Sequence, residues 1–183
     1  MEKGFTNRAA VNKFAITGPE STGKSTLTMQ LAELYKTNWV REYAREFLMR
    51  SNGTYSEPDL LAISKGQRML EQEAMKYSSP MLFCDTELIV LKIWSLVKFG
   101  RCHPLILQWI EHQKYTHYFL CNIDIPWQED PLREHPHFRE ELFEMYKNEL
   151  EFYCFPYTVI SGSETERLIS AKNIVDKCNF GKQ

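Results

Sequence analysis

Two glycines, a lysine and a hydroxyl stand at a spacing that can grip a polyphosphate. Gly18-Pro19-Glu20-Ser21-Thr22-Gly23-Lys24-Ser25, followed by Thr26, fits GxxxxGK[ST]. Gly18 and Gly23 permit backbone angles closed to other residues, so that consecutive N–H groups can turn inward around phosphate oxygens. Glu20, Ser21, Thr22 and Thr26 complete the cradle. Lys24 reaches the outer phosphates as a point charge, and the Ser25 hydroxyl can ligate Mg²⁺. The chemistry served by such a loop is nucleoside triphosphate binding. A glycine-containing turn can match by chance, but here an apolar run, Lys13 to Thr17, precedes the loop, and Leu27, Leu31, Leu34 and Tyr35 follow it at helical spacing. The loop therefore opens a helix whose positive end faces the phosphates.

A second group of residues could act on the transferred phosphate. Asp85 ends the apolar run Met81-Leu82-Phe83-Cys84, where a phosphate-loop fold sets its second metal-organising acid. Its competing role is to cap the next helix, with Glu87 in the first turn. Arg41-Glu42-Tyr43-Ala44-Arg45-Glu46 follows another short apolar run. A carboxylate there can accept a hydroxyl proton while an arginine or tyrosine positions the acceptor, unless the charges are simply solvated. Glu42 is the first candidate for the base and Asp85 the second; Tyr43 and Arg45 are candidates for holding the acceptor. Arg133 and Arg139 flank a proline-rich loop and can bring positive charge to the γ-phosphate, or pair with Glu134 and Glu140 instead. Trp127 in that loop either stacks on a flat ring, favourably a cationic one, or anchors the loop. His103, His112, His117, His135 and His137 show no paired-ligand spacing, and His135 and His137 read as exposed loop residues, so no transition metal is expected. No GxSxG run or Cys/His pair marks a covalent nucleophile.

Strands must alternate with helices to bring these residues together. Apolar runs at 12–17, 38–41, 81–85, 116–122 and 157–161 predict about five strands. Helical spacing predicts helices after Glu42, from the Ser56 cap to Lys76, over Leu88–Phe99, after Pro104, over 138–153 and around Leu168, Ala171 and Val175. The expectation is an α/β P-loop NTPase three-layer sandwich, its site at the carboxyl ends of parallel strands, with a mobile lid at about 126–139. At 183 residues, one domain spanning 1–183 is expected. Twenty-two basic against 24 acidic residues leave a net charge of −2, which excludes a broad nucleic-acid footprint. The longest apolar stretch is broken by Lys92, Ser95 and Lys98, so no membrane partner is expected. Residues 1–12 lack a signal-peptide core, and Cys84, Cys102, Cys121, Cys154 and Cys178 read as scattered buried thiols of a reducing, cytoplasmic protein.

Among phosphate-loop proteins, a regulatory GTPase would carry Asn-Lys-x-Asp, which Cys121-Asn122-Ile123-Asp124 does not match. A motor or AAA-type ATPase would be larger and end its acid-bearing strand in two acids, where Asp85-Thr86-Glu87 interposes a threonine. A small-molecule kinase fits. The motifs GPESTGKST (18–26), VREYAREFL (40–48), LFCDTE (82–87), DIPWQEDPLREHPHFREELF (124–143) and ISGSETERL (160–168) together resemble the ribosylnicotinamide kinase domain of NadR-type proteins. That resemblance covers about 12–175 and implies transfer of the ATP γ-phosphate to the 5′-hydroxyl of nicotinamide riboside with Mg²⁺. It also implies that Lys24 and Ser25 serve the phosphates, Ser25 and Asp85 the metal, Glu42 or Asp85 the ribose, and Trp127, Arg133 and Arg139 the lid. By fold analogy the adenine meets the Ser161-Gly162-Ser163 turn and the loop near Arg133. The nucleotidylyltransferase and helix-turn-helix of full-length NadR proteins have no counterpart in these motifs, so the expectation is a kinase alone. The alternatives are a kinase for another nucleoside or small alcohol, and a nucleotide-dependent regulatory ATPase.

Overall fold

The structure, a computed structural model, describes residues 11–78, 80–133 and 137–180. Strands and helices alternate as β1 (Asn12–Thr17), α1 (Lys24–Leu34), β2 (Trp39–Val40), α2 (Tyr43–Arg50), α3 (Glu57–Met75), β3 (Met81–Asp85), α4 (Leu88–Phe99), α5 (Pro104–His112), β4 (His117–Cys121), α6 (Arg139–Phe152), β5 (Tyr157–Ile160) and α7 (Glu164–Phe180). The five strands are parallel and lie in the order β2-β3-β1-β4-β5.

Side chains on a strand point alternately to opposite faces, and β1 shows the result. Phe14 and Ile16 pack with Phe83, Phe119, Leu27 and Leu31 under α1 and α7, while Ala15 joins Leu82, Tyr118 and Leu120 under α3 to α6. Both faces are covered, which is why the central strands read as continuous apolar runs rather than alternating ones. The register sets Ile16 of β1 beside Asp85 of β3 and beside Phe119 of β4. The carboxyl ends of the middle strands are therefore level, and the phosphate loop emerges next to Asp85.

Local chemistry sets the helix ends. Ser56 and Asp59 form a reciprocal capping box at the start of α3, with Pro58 in its first turn. Glu87, rather than Asp85, caps α4: its side chain accepts a hydrogen bond from the Ile89 amide at 2.8 Å. Gly100 ends α4 at φ +69. Of the cysteines, Cys84 and Cys121 are buried, Cys102 and Cys178 are partly exposed, and Cys154 is exposed. The expectation of uniformly buried thiols thus fails at Cys154, which lies in the turn leaving α6 at φ +53. Among the described residues, no helix is long and apolar enough to cross a membrane.

Candidate active site

The phosphate loop is shaped by what surrounds it. Gly18 leaves β1 at φ +129, and a Cβ there would lie 2.8 Å from the Cys121 carbonyl oxygen. Gly23 turns into α1 at φ +76. The Thr22 hydroxyl and the Lys24 ammonium both donate to the Pro19 carbonyl, at 2.8 and 2.7 Å. Ser25 Oγ donates to Asp85 Oδ2 at 2.5 Å, because β1 and β3 are adjacent. The other Asp85 oxygen is buried and has no hydrogen-bond partner among the described residues. Burial raises the Asp85 pKa, and the Ser25 bond and the charge of Lys24 oppose the rise.

A cleft of about 840 Å³ opens above the strand ends, within the range typical of small-molecule sites. Every expected phosphate-loop residue, Gly18, Glu20, Ser21, Thr22, Gly23, Lys24, Ser25 and Thr26, lines it, as do Glu42, Arg45, Asp85 and Arg133. Glu42 sits just before α2, and among the described residues no hydrogen bond engages its carboxylate. Burial first, and then the neighbouring Asp85 charge, push its carboxyl up to about 7. Arg45 crosses from α2 to Asp130 at 2.7 Å.

Three expected site residues are not brought to the cleft lining. The Tyr43 ring lies on Gly66 of α3, so close that a Cβ on that glycine would be 2.2 Å from the ring, and the Tyr43 amide donates to Gln67. Trp127 has the Arg133 and Arg139 guanidiniums over its ring. Arg139 begins α6 and donates to the carbonyls of Ser21 and Ile125, both at 3.0 Å, instead of pairing with Glu140. Arg133 donates to the Ser21 hydroxyl and the Gln128 carbonyl. The proposed partner Glu134, together with His135 and Pro136, lies outside the described residues. His137 is exposed, as expected.

Other residues enter that the motifs did not single out. Trp94 and Tyr146, with Leu48 and Val90, also line the cleft. Their signal was present, but α4 is apolar nearly all round, so no periodicity distinguishes Trp94 from core. Arg167 of α7 is 3% exposed and binds the carbonyls of Thr22, Gly162 and Asn122 at 2.9, 2.9 and 3.1 Å, and it pairs with Asp124. Asp124 in turn accepts from the Gly162 amide at 2.6 Å. This arginine ties the phosphate loop to the turns that follow β4 and β5, including the one expected near adenine. We expect Arg167→Gln to lower stability by about 2–3 kcal/mol, because buried carbonyls lose a charged donor while Asp124 stays partly hydrated. Chemical denaturation would measure it through the unfolding midpoint at constant slope.

A parallel sheet in this order, a phosphate loop leaving its central strand and an acid on the next strand define a P-loop kinase-like α/β protein. Residues 13–167 match a family model described as an AAA domain, and the chain belongs to that family. The family name contrasts with the expectation that set AAA-type ATPases aside, although the single acid before Thr86 is as read. The chain is 31% identical over 155 residues to the trifunctional NAD biosynthesis/regulator protein NadR of Salmonella typhimurium, across 78% of this chain and 37% of that protein. It thus spans little more than a third of that relative's length. A crystal structure of NadR protein in complex with NR matches 93% of this chain and 51% of its own, with a TM-score of 0.80 and 19% identity. Thymidylate kinase from Ehrlichia chaffeensis matches 90% of this chain and 99% of its own, with a TM-score of 0.66 and 15% identity.

Proposed function

We propose that this chain is a single ATP-dependent kinase domain that phosphorylates the 5′-hydroxyl of nicotinamide riboside, giving nicotinamide mononucleotide and ADP in NAD salvage. The observation that carries this reading is the composition of one cleft. The phosphate loop, which contributes Glu20, shares it with Glu42, Asp85 and the Trp94 and Tyr146 rings. An acidic, aromatic chamber suits a flat cationic ring joined to a hydroxyl-bearing sugar. The likeness to the NAD biosynthesis protein NadR, and to a NadR protein structure in complex with NR, supports this acceptor.

Mg²⁺ fits the residues present: a buried, unpartnered Asp85 oxygen stands beside the Ser25 hydroxyl, and both are hard oxygen donors. Ser25 and Asp85 would hold the ion, which when bound neutralises charge on the β- and γ-phosphate oxygens. Lys24 and the loop amides orient the triphosphate, and Arg133 adds charge at the cleft mouth. Glu42 takes the proton from the acceptor hydroxyl, since among the described residues its carboxylate is unengaged whereas Asp85 is bonded to Ser25. Arg45 holds the acceptor side in register through Asp130. The partners are small molecules, without nucleic acid or membrane, and the free thiols suit a reducing cytoplasm.

The test is ADP release with Mg·ATP and a panel of nicotinamide riboside, uridine, cytidine, deoxynucleosides and no acceptor, with product masses measured. We expect release that depends on nicotinamide riboside and a product heavier by one phosphate. Preference for a deoxynucleoside would move the protein to another nucleoside kinase. Release independent of every acceptor would move it to a regulatory ATPase.

A further inference from the structure

We infer that Trp127 and Arg139 are positioning residues that fix the Arg133 guanidinium at the mouth of the phosphate loop, an assignment that rests on the kinase reading above. The guanidinium carbons of Arg133 and Arg139 each lie 5.9 Å from the centre of the indole, within reach of cation–π attraction. Both heads also converge on one residue of the phosphate loop. Arg133 donates to the Ser21 hydroxyl at 3.3 Å and Arg139 to the Ser21 carbonyl at 3.0 Å. The Gln128 amide donates to that same hydroxyl at 2.9 Å. Ser21 presents both acceptors from a left-handed conformation, φ +54.

The two arginines are not equivalent. Arg133 lines the cleft, whereas Arg139 is committed to the Ser21 and Ile125 carbonyls and to the ring. Burial, together with the nearby charge of Arg133, lowers the proton affinity of Arg139. Holding two cations around one serine costs electrostatic energy, and the indole and the four acceptors offset it. A triphosphate in the cradle would offset more, since its charge faces the arginine that reaches the cleft. An unrestrained arginine samples many rotamers; one held between a ring and a fixed hydroxyl is already oriented when phosphate arrives. With guanidiniums on it, the Trp127 ring serves the phosphate side of the reaction, not the acceptor.

The test compares Trp127→Ala, Trp127→Phe and Arg139→Lys by steady-state kinetics with Mg·ATP and nicotinamide riboside, and by calorimetric binding of β,γ-imido-ATP. Trp127→Ala is expected to lower kcat by about 10- to 100-fold, the scale of a small misplacement of a catalytic group. It should weaken the ATP analogue about tenfold by the same misplacement and leave the acceptor KM within about twofold. Trp127→Phe keeps an aromatic face and recovers most of both losses; Arg139→Lys keeps the charge without the fork and behaves like Trp127→Ala. A raised acceptor KM with unchanged analogue affinity would give the ring to the acceptor and overturn the inference. Equal losses in the Phe and Ala variants would also overturn it, since they would mark a role in packing alone. If the wild-type chain phosphorylates no acceptor, the kinase reading fails while the analogue affinities still decide this one. Loss with Ala and recovery with Phe would then sustain it, and equal affinities would end it.

Discussion

Lys24→Ala is expected to lower acceptor phosphorylation by at least about 10²–10³-fold, the scale set by removing a charge-stabilising donor from a transition state, while the protein stays folded. In the structure the Lys24 ammonium makes one hydrogen bond, to the Pro19 carbonyl at 2.7 Å, and forms no ion pair among the described residues. Its removal therefore costs the fold about 1 kcal/mol, the usual net worth of a single such bond. Its effect on the phosphates is much larger, because the charge that builds on the transferring group has no second lysine to meet it in the loop. The substitution has a further consequence with a definite sign. The Lys24 charge lowers the pKa of both Glu42 and Asp85, so its loss raises both and makes each carboxylate harder to ionise. Steady-state kinetics, together with the thermal unfolding midpoint, checks both parts. An unfolded variant, or one that turns over at nearly the normal rate, would contradict the assignment.

The phosphate loop was legible because each of its positions answers a local requirement: backbone angles at Gly18 and Gly23, charge at Lys24 and a hydroxyl at Ser25. The sheet was legible for a related reason. Strands buried on both faces must be apolar throughout, and β1, β3 and β4 begin and end within a residue of the runs that announce them. The edge strand β2 shortens to Trp39–Val40 because only one neighbour holds it. What could not be read depends on partners distant in sequence. Trp127 could be read as stacking on a flat ring or as anchoring its loop, because the sequence does not show that Arg133 and Arg139 both come to its ring. Tyr43 looked available until α3 placed Gly66 under its ring. Arg167 stands inside the ISGSETERL run, yet its role could not be read there, since its acceptors come from three separate loops. Trp94 was hidden by the opposite condition: on a helix apolar nearly all round, composition does not tell a cleft wall from a core side chain.

Glu42→Gln is expected to lower acceptor phosphorylation by about 10²–10⁴-fold, the range of a lost general base, with nucleotide binding retained. The amide preserves shape and removes the proton acceptor, and among the described residues no hydrogen bond ties the Glu42 carboxylate to the loop residues that grip phosphate. Its pH dependence separates this role from electrostatic support. Burial and the charge of Asp85 hold the Glu42 carboxyl at about 7, so the ionised, active form is lost as pH falls through neutrality rather than near 4. Wild-type kcat/KM should therefore fall about tenfold per unit below that point, as expected for one required deprotonation, and the Gln variant should lose this limb. Asp85→Asn is expected to behave differently: the Ser25 contact and the metal donor are weakened, and extra Mg²⁺ should recover part of the rate. If the acid limb survives in the Glu42 variant and disappears in the Asp85 variant, the base is Asp85. If nucleotide turnover in Glu42→Gln stays largely intact without a phosphorylated acceptor, the cleft works as a nucleotide switch, because hydrolysis by water has no need of a base placed for a sugar hydroxyl.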